Sequence, residues 1–217
     1  MYYEIHGEGE PLVLIGGLAN DITDYTDHTK IISGLSQRYK VITFDNRGAG
    51  RTDKPDIPYS IEMMADDTAG LMQAIGIKQA HIVGISMGGR IALEMALRHP
   101  EMVKKLVLVS TAARVIKTWR RHLLFDILSR IPIFRGKYPQ PHYAFVRQRE
   151  ASSSYDCTDE LPELRVPTVI LHGRTDKVSQ FKLAEEMHAL IPNSRLLTFD
   201  VASKTRYEVL GASQRSV

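Results

Sequence analysis

A single cysteine, a single tryptophan and no apolar run near the roughly 20 residues of a membrane span set the first limits on this 217-residue chain. One cysteine, Cys157, excludes an internal disulfide and fits a reducing compartment, so the expected location is the cytoplasm. As a nucleophile Cys157 has no supporting motif and reads as a loop thiol. No signal-peptide pattern precedes the first strand. Neither a metal-ligand spacing nor a G-x-x-x-x-G-K-[ST] phosphate loop occurs, so neither a metal nor a cofactor is expected. The net charge of +3 is too small to argue for nucleic acid. Its distribution is uneven: nine Lys and Arg lie between Thr111 and Glu150 against only Asp126 and Glu150. With Trp119, Phe125 and Phe134 interleaved, that segment could meet an anionic substrate or a membrane surface, but a solvated face is the favoured reading.

What the chain does contain is a composition of 43% hydrophobic and 24% charged residues, suited to one globular domain with a sizeable core. Short apolar runs (Leu12 to Ile15, Val41 to Phe44, Ile82-Val83, Leu106 to Val109, Thr168 to Leu171, Arg195 to Phe199) alternate with stretches of helical period. Near-continuous apolar content marks strands covered on both faces. The alternation predicts a mostly parallel sheet flanked by helices, with reactive loops at the carboxyl ends of the strands. Ser60 is the expected N-cap of one helix and Gly76 its stop; Pro100 ends another by disfavouring helical geometry at His99. The methionines at helical spacing read as core filler. The interval 112–160 breaks the alternation and reads as an insertion of one or two helices over the strand ends. The expected division is therefore a core of 1–111 and 161–217 with a short cap of 112–160.

The stretch Gly84-Ile85-Ser86-Met87-Gly88 carries the most chemistry. It follows the apolar run from Ala80 to Val83 and opens the helical pattern from Gly89 to His99. Strand, abrupt turn and helix form the context in which a serine is held strained and exposed beside the positive end of a helix. Side chains at 84 and 88 would clash where strand and helix meet so sharply.

Together these residues resemble the α/β-hydrolase fold family, in particular its capped serine esterase and lactonase branch. The likeness runs from Tyr2 to about Asp200. Tyr3 to Gly9 is similar to the strand before the oxyanion turn. Asp45-Asn46-Arg47-Gly48-Ala49-Gly50-Arg51-Thr52-Asp53-Lys54-Pro55 matches the family's D-x-R-G-x-G-x-S-x-x-P segment, with Thr52 in the usual serine position. Leu164 to Thr168, followed by His172-Gly173-x-x-Asp176, matches the strand that carries the acid. The resemblance implies Ser86 as nucleophile, Asp176 as the acid that orients the base, and the amides of Leu18 and Met87 as the oxyanion hole. Gly16-Gly17 stands where His-Gly is common, which changes a side chain and not the donor. It also implies a small-molecule ester or lactone as substrate. Serine at the elbow, where dehalogenases and epoxide hydrolases carry aspartate, argues against those two activities.

One departure is large. The resemblance places the catalytic histidine in the loop after the last strand, yet no histidine lies beyond His188. The ending has the form left by a truncation or a shifted frame, and a non-catalytic role would leave the same text. A serine hydroxyl needs a neighbouring base, and loss of one triad member costs up to about 10⁶ in turnover in a well-studied protease. The candidates for a substitute are His172, at the end of the acid strand, and His122 and His142, in the insertion; Lys204 would need burial to lower its pKa. The sequence thus leaves two functional readings: a hydrolase acting through a Ser86 acyl-enzyme, weak for want of its base, or a relative that binds a ligand or scaffolds without turnover. Without a closing helix the sheet could also pair with a second copy.

Overall fold

A computed structural model describes residues 1–26, 31–116 and 137–200. Seven strands form one sheet: β1 (Tyr3–His6), β2 (Glu10–Ile15), β3 (Tyr39–Phe44), β4 (Ala80–Ile85), β5 (Val103–Val109), β6 (Thr168–Gly173) and β7 (Ser194–Phe199). Their spatial order is β1-β3-β2-β4-β5-β6-β7. β1 runs antiparallel to β3 and every other pair is parallel. The expected mostly parallel sheet is therefore present, with one antiparallel edge. Tyr3–His6 forms that edge rather than leading straight into the oxyanion turn. The chain reverses through Gly7 and Gly9 at positive φ, and β2 is the strand that ends at the Gly16-Gly17 turn.

Six helices are described: α1 (Thr23–Thr26), α2 (Ile31–Leu35), α3 (Ile61–Ala74), α4 (Met87–Arg98), α5 (His142–Ser154) and α6 (Phe181–Leu190). The strand sequences explain why both faces are covered. Val13 and Ile15 of β2 pack into a cluster with Met64 and Met72 of α3, Ile91 and Leu93 of α4 and Met187 of α6. Leu12 and Leu14, the alternate residues, pack with Tyr25, Ile31 and Ile32. Successive strand side chains point to opposite faces, so a continuous apolar run feeds both clusters. Ser60 caps α3 as expected, its Oγ accepting from Met63 N–H at 3.1 Å, and Gly76 at φ +74° follows the cap residue Ile75.

At the amino-terminal edge of the sheet, Glu10 of β2 bonds to His81 of β4 at 3.0 Å and to Lys104 of β5. Those two donors hold the Glu10 carboxyl down to about 2. This charged brace lies at the end opposite the reactive loops, so the histidine of β4 is structural. No described helix is long and apolar enough to cross a membrane.

The register fixes the carboxyl ends in a row. Ile15 pairs with Gly84, Ile85 with Val109, Val109 with Leu171, and Gly173 with Phe199. The loops after β2, β4, β5 and β6 therefore leave the sheet side by side, at strand spacings of about 4.8 Å. Residues distant in sequence meet because of this alignment.

Candidate active site

Ser86 occupies the first position beyond β4 and is half-buried. Its backbone is at φ 55°, ψ −115°, a left-handed conformation that costs a non-glycine residue about 1–3 kcal/mol. Three backbone bonds hold it there. Ser86 N–H donates to Val109 O at 2.9 Å, and Ser86 O accepts from Gly89 N–H at 3.0 Å and from Thr111 Oγ1 at 2.7 Å. The Ser86 hydroxyl does not cap α4.

The flanking glycines are a steric necessity. A Cβ on Gly84 would lie 2.4 Å from Gly88 O and 2.7 Å from Gly89 Cα. One on Gly88 would lie 2.2 Å from Ile15 O and 2.6 Å from Gly16 O. One on Gly89 would meet the Thr111 side chain at 2.5 Å. Strand, turn and helix come within backbone contact here, as the sequence spacing predicts.

Beside Ser86 lies the turn after β2. A Cβ on Gly17 would approach Ser86 Cβ to 3.5 Å, which fixes the two segments as neighbours. Gly17 N–H donates to the buried Tyr25 hydroxyl at 3.0 Å, Ala19 N–H to Gln148 Oε1 at 3.1 Å, and Asn20 N–H to Gly17 O at 3.3 Å. Among the described residues, the amide of Leu18 is the one in this run with no partner of its own. Met87 N–H belongs to the first turn of α4, where amides have no intrahelical acceptor and carry the positive end of the helix dipole. The Gly16-Gly17 departure has a physical reason: the Tyr25 ring occupies the space, 3.0 Å from where a Cβ on Gly16 would stand.

The Asp45–Pro55 segment is scaffolding for that turn. Asp45 is fully buried and accepts from Ile22 N–H at 2.8 Å and Arg51 N–H at 2.7 Å; burial pushes its carboxyl above the ordinary range. Asn46 Nδ2 donates to Gly16 O at 3.0 Å. Thr52 Oγ1 donates to Asp45 O at 2.7 Å and accepts from Tyr2 N–H at 2.9 Å, bonds a serine hydroxyl would make equally well.

Asp176 lies beyond β6 and is buried. Its Oδ1 accepts from Val178 N–H at 2.7 Å and Ser179 N–H at 2.9 Å. Its Oδ2 is buried with no hydrogen-bond partner. A carboxylate oxygen left in that state costs about 1–3 kcal/mol or more and is an acceptor poised for an N–H donor. His172 is buried near the end of β6, where its Nε2 bonds to Ser179 O at 2.8 Å and its ring packs edge-on to Phe181. A carbonyl only accepts, so Nε2 carries the proton in that bond, and His172 ties down the loop that bears Asp176. His142 is exposed at the start of α5. His122 and Lys204 lie outside the described residues.

Cys157 is buried against Ala113 O, and burial pushes its thiol up to about 12, the state of an inert core thiol. No group of three metal-ligating side chains occurs among the described residues. Sequence reasoning missed Tyr25, Asn46 and Gln148, all of which shape the turn at Leu18. Asn46 stands at the variable position of the Asp45–Pro55 segment, and Tyr25 and Gln148 lie in none of the motifs quoted above.

Residues 10–154 match the sequence family described as the alpha/beta hydrolase fold. That is more than half of the chain, and the protein belongs to this family. A 2-hydroxymuconate semialdehyde hydrolase of Pseudomonas sp. strain CF600 is 27% identical over 89% of this chain and 80% of its own length. Among solved structures, the meta-cleavage product hydrolase of Pseudomonas fluorescens IP01 aligns at TM-score 0.79 and 28% identity, covering 98% of this chain and 90% of that one. The enol-lactonase of Burkholderia xenovorans LB400 shares the fold at TM-score 0.84 and 24% identity, over 99% of this chain and 94% of its own.

Proposed function

We propose that the chain is a hydrolase of small carboxylic esters or lactones that works through a Ser86 acyl-enzyme. The observation that carries this reading is Ser86 itself. A serine is kept at φ 55° among glycines whose Cβ positions lie within 3 Å of neighbouring atoms, a strain that scaffolding alone would not need. Leu18 and Met87 supply the two amides for the developing oxyanion. Such donors stabilise the transition state more than the ground state and are worth about 10²–10³ each in turnover. Asp176 Oδ2 is left open as the acceptor for the N–H of a base, the group that must take the Ser86 proton. Hydrolase relatives such as the 2-hydroxymuconate semialdehyde hydrolase support the reaction class.

A second reading has its own observation. Residues 201–217 contain no histidine, and the Nε2 of His172 is bonded to Ser179 O. A relative that binds a ligand in the same pocket without turnover fits that pattern. A fluorophosphonate probe separates the two, since it reacts only with an activated serine. The hydrolase reading expects labelling that maps to Ser86 and disappears in Ser86→Ala, together with ester turnover. Folded protein giving neither would leave the binding reading standing.

A further inference from the structure

Gln148 is fully buried at 0% exposure, on a helix drawn from the segment between β5 and β6. Burying a primary amide is costly unless its donor and acceptor are both satisfied. Here both are satisfied by backbone from two separate core loops. Oε1 accepts from Ala19 N–H at 3.1 Å, and Nε2 donates to Arg47 O at 2.6 Å. Ala19 stands at φ 62°, a left-handed conformation for which a non-glycine residue needs support.

The geometry of the turn gives these bonds a consequence. The Leu18 amide belongs to the peptide between residues 17 and 18. The preceding peptide is fixed by Gly17 N–H on the Tyr25 hydroxyl at 3.0 Å. The following peptide is fixed by Ala19 N–H on Gln148 at 3.1 Å. The carbonyl of the middle peptide, Gly17 O, takes Asn20 N–H at 3.3 Å. A peptide plane pinned on both sides cannot rotate its N–H away without breaking a buried bond. One pin, Tyr25, comes from the neighbouring helix α1; the other comes from 129 residues away.

We propose that Gln148 is a positioning residue that holds the Leu18 amide aimed at the carbonyl oxygen of substrate bound at Ser86. The inference rests on the hydrolase reading above and adds to it: α5 is a working part of the oxyanion hole, and its hold on the turn sets kcat. Gln148 touches no reacting atom and acts through Ala19. Losing an oxyanion donor outright costs about 10²–10³, so loosening one costs less, on the order of tenfold.

The test compares Gln148→Met, which keeps the length and loses both bonds, with Gln148→Glu, which keeps an acceptor for Ala19 and, when protonated, a donor for Arg47. Ser154→Ala is the control, because the exposed Ser154 bonds within α5 itself, to Glu150 O at 2.9 Å and Ala151 O at 3.3 Å. Each is assayed for kcat and KM on a short-chain ester and for the second-order rate of fluorophosphonate labelling at Ser86. The expected result is that Gln148→Met lowers kcat and the labelling rate about tenfold with KM changed less than twofold. Gln148→Glu recovers most of the loss at low pH and forfeits it as the carboxyl ionises against Arg47 O, and Ser154→Ala matches the parent. Parent-like kcat in Gln148→Met overturns the inference and leaves the hydrolase reading intact. So does a loss shared equally by kcat and KM that Gln148→Glu does not relieve at any pH. Should Gln148→Met not fold, the pH profile of Gln148→Glu decides alone. A parent protein without Ser86-dependent turnover overturns both.

Discussion

Ser86→Gly is expected to give a protein that is more stable and slower in ester turnover by about 10³-fold or more. Two terms set the stability change. Relief of the left-handed backbone at φ 55° returns about 1–3 kcal/mol. Glycine's greater freedom in the unfolded chain takes back about 0.5–1 kcal/mol. The net gain is about 1 kcal/mol, read as a higher urea midpoint at unchanged m. The bonds of Ser86 N–H to Val109 O and of Ser86 O to the Thr111 hydroxyl use only the backbone of residue 86 and survive the change. Ester turnover falls about 10³-fold or more, short of the ~10⁶ lost from a complete triad. The size of that fall is informative because members of a catalytic unit are not additive. Turnover unaltered by Ser86→Gly would mean that no base reaches the hydroxyl, and the binding reading would take over.

Gly88→Ala should act in the opposite direction and through structure alone. Its Cβ would stand 2.2 Å from Ile15 O and 2.6 Å from Gly16 O. Neither atom is the end of a flexible side chain. Ile15 is the last residue of β2, paired to Gly84 on one side and Phe44 on the other, and Gly16 O holds Asn46 Nδ2. Relief requires α4 to move off the sheet, which breaks the packing of Ile91 and Leu93 against Val13 and Ile15. The expected loss is about 3 kcal/mol or more, at the upper end for overpacking. Set against a typical stability of about 5–15 kcal/mol, that shows as a sharply lowered melting temperature or insoluble protein. A melting temperature within 2–3 °C of the parent, roughly what about 1 kcal/mol or less moves a domain of this size, would show that the elbow is looser than described. Gly70, with nothing within 4 Å of its Cβ position, is the natural control: alanine there should stabilise α3.

Much of this was legible before any coordinates. Apolar runs feeding both faces of a sheet, the Ser60 cap, and the glycines of the elbow are local signals with one structural answer each. The buried place of Asp176 just after β6 is legible through its motif. The supports of the turn at Leu18 were not. Gln148 sits in the polar run Arg147-Gln148-Arg149-Glu150, where nothing distinguishes a buried amide from its solvated neighbours. Tyr25 reads as an ordinary aromatic until the space vacated by Gly16 is seen to be filled by its ring. His172 suits a base by its chain position. Its bond to Ser179 O depends on how the loop after β6 folds back, which periodicity does not encode. Polar bonds between loops far apart in sequence are the part of a site that local pattern leaves open.

The most direct measurement is a crystal structure of the chain after reaction with a fluorophosphonate. The account predicts phosphorus bonded to Ser86 Oγ, with the phosphoryl oxygen within about 3.2 Å of both Leu18 N and Met87 N. An adduct on any other side chain, or an oxygen turned from both amides toward solvent, would contradict it.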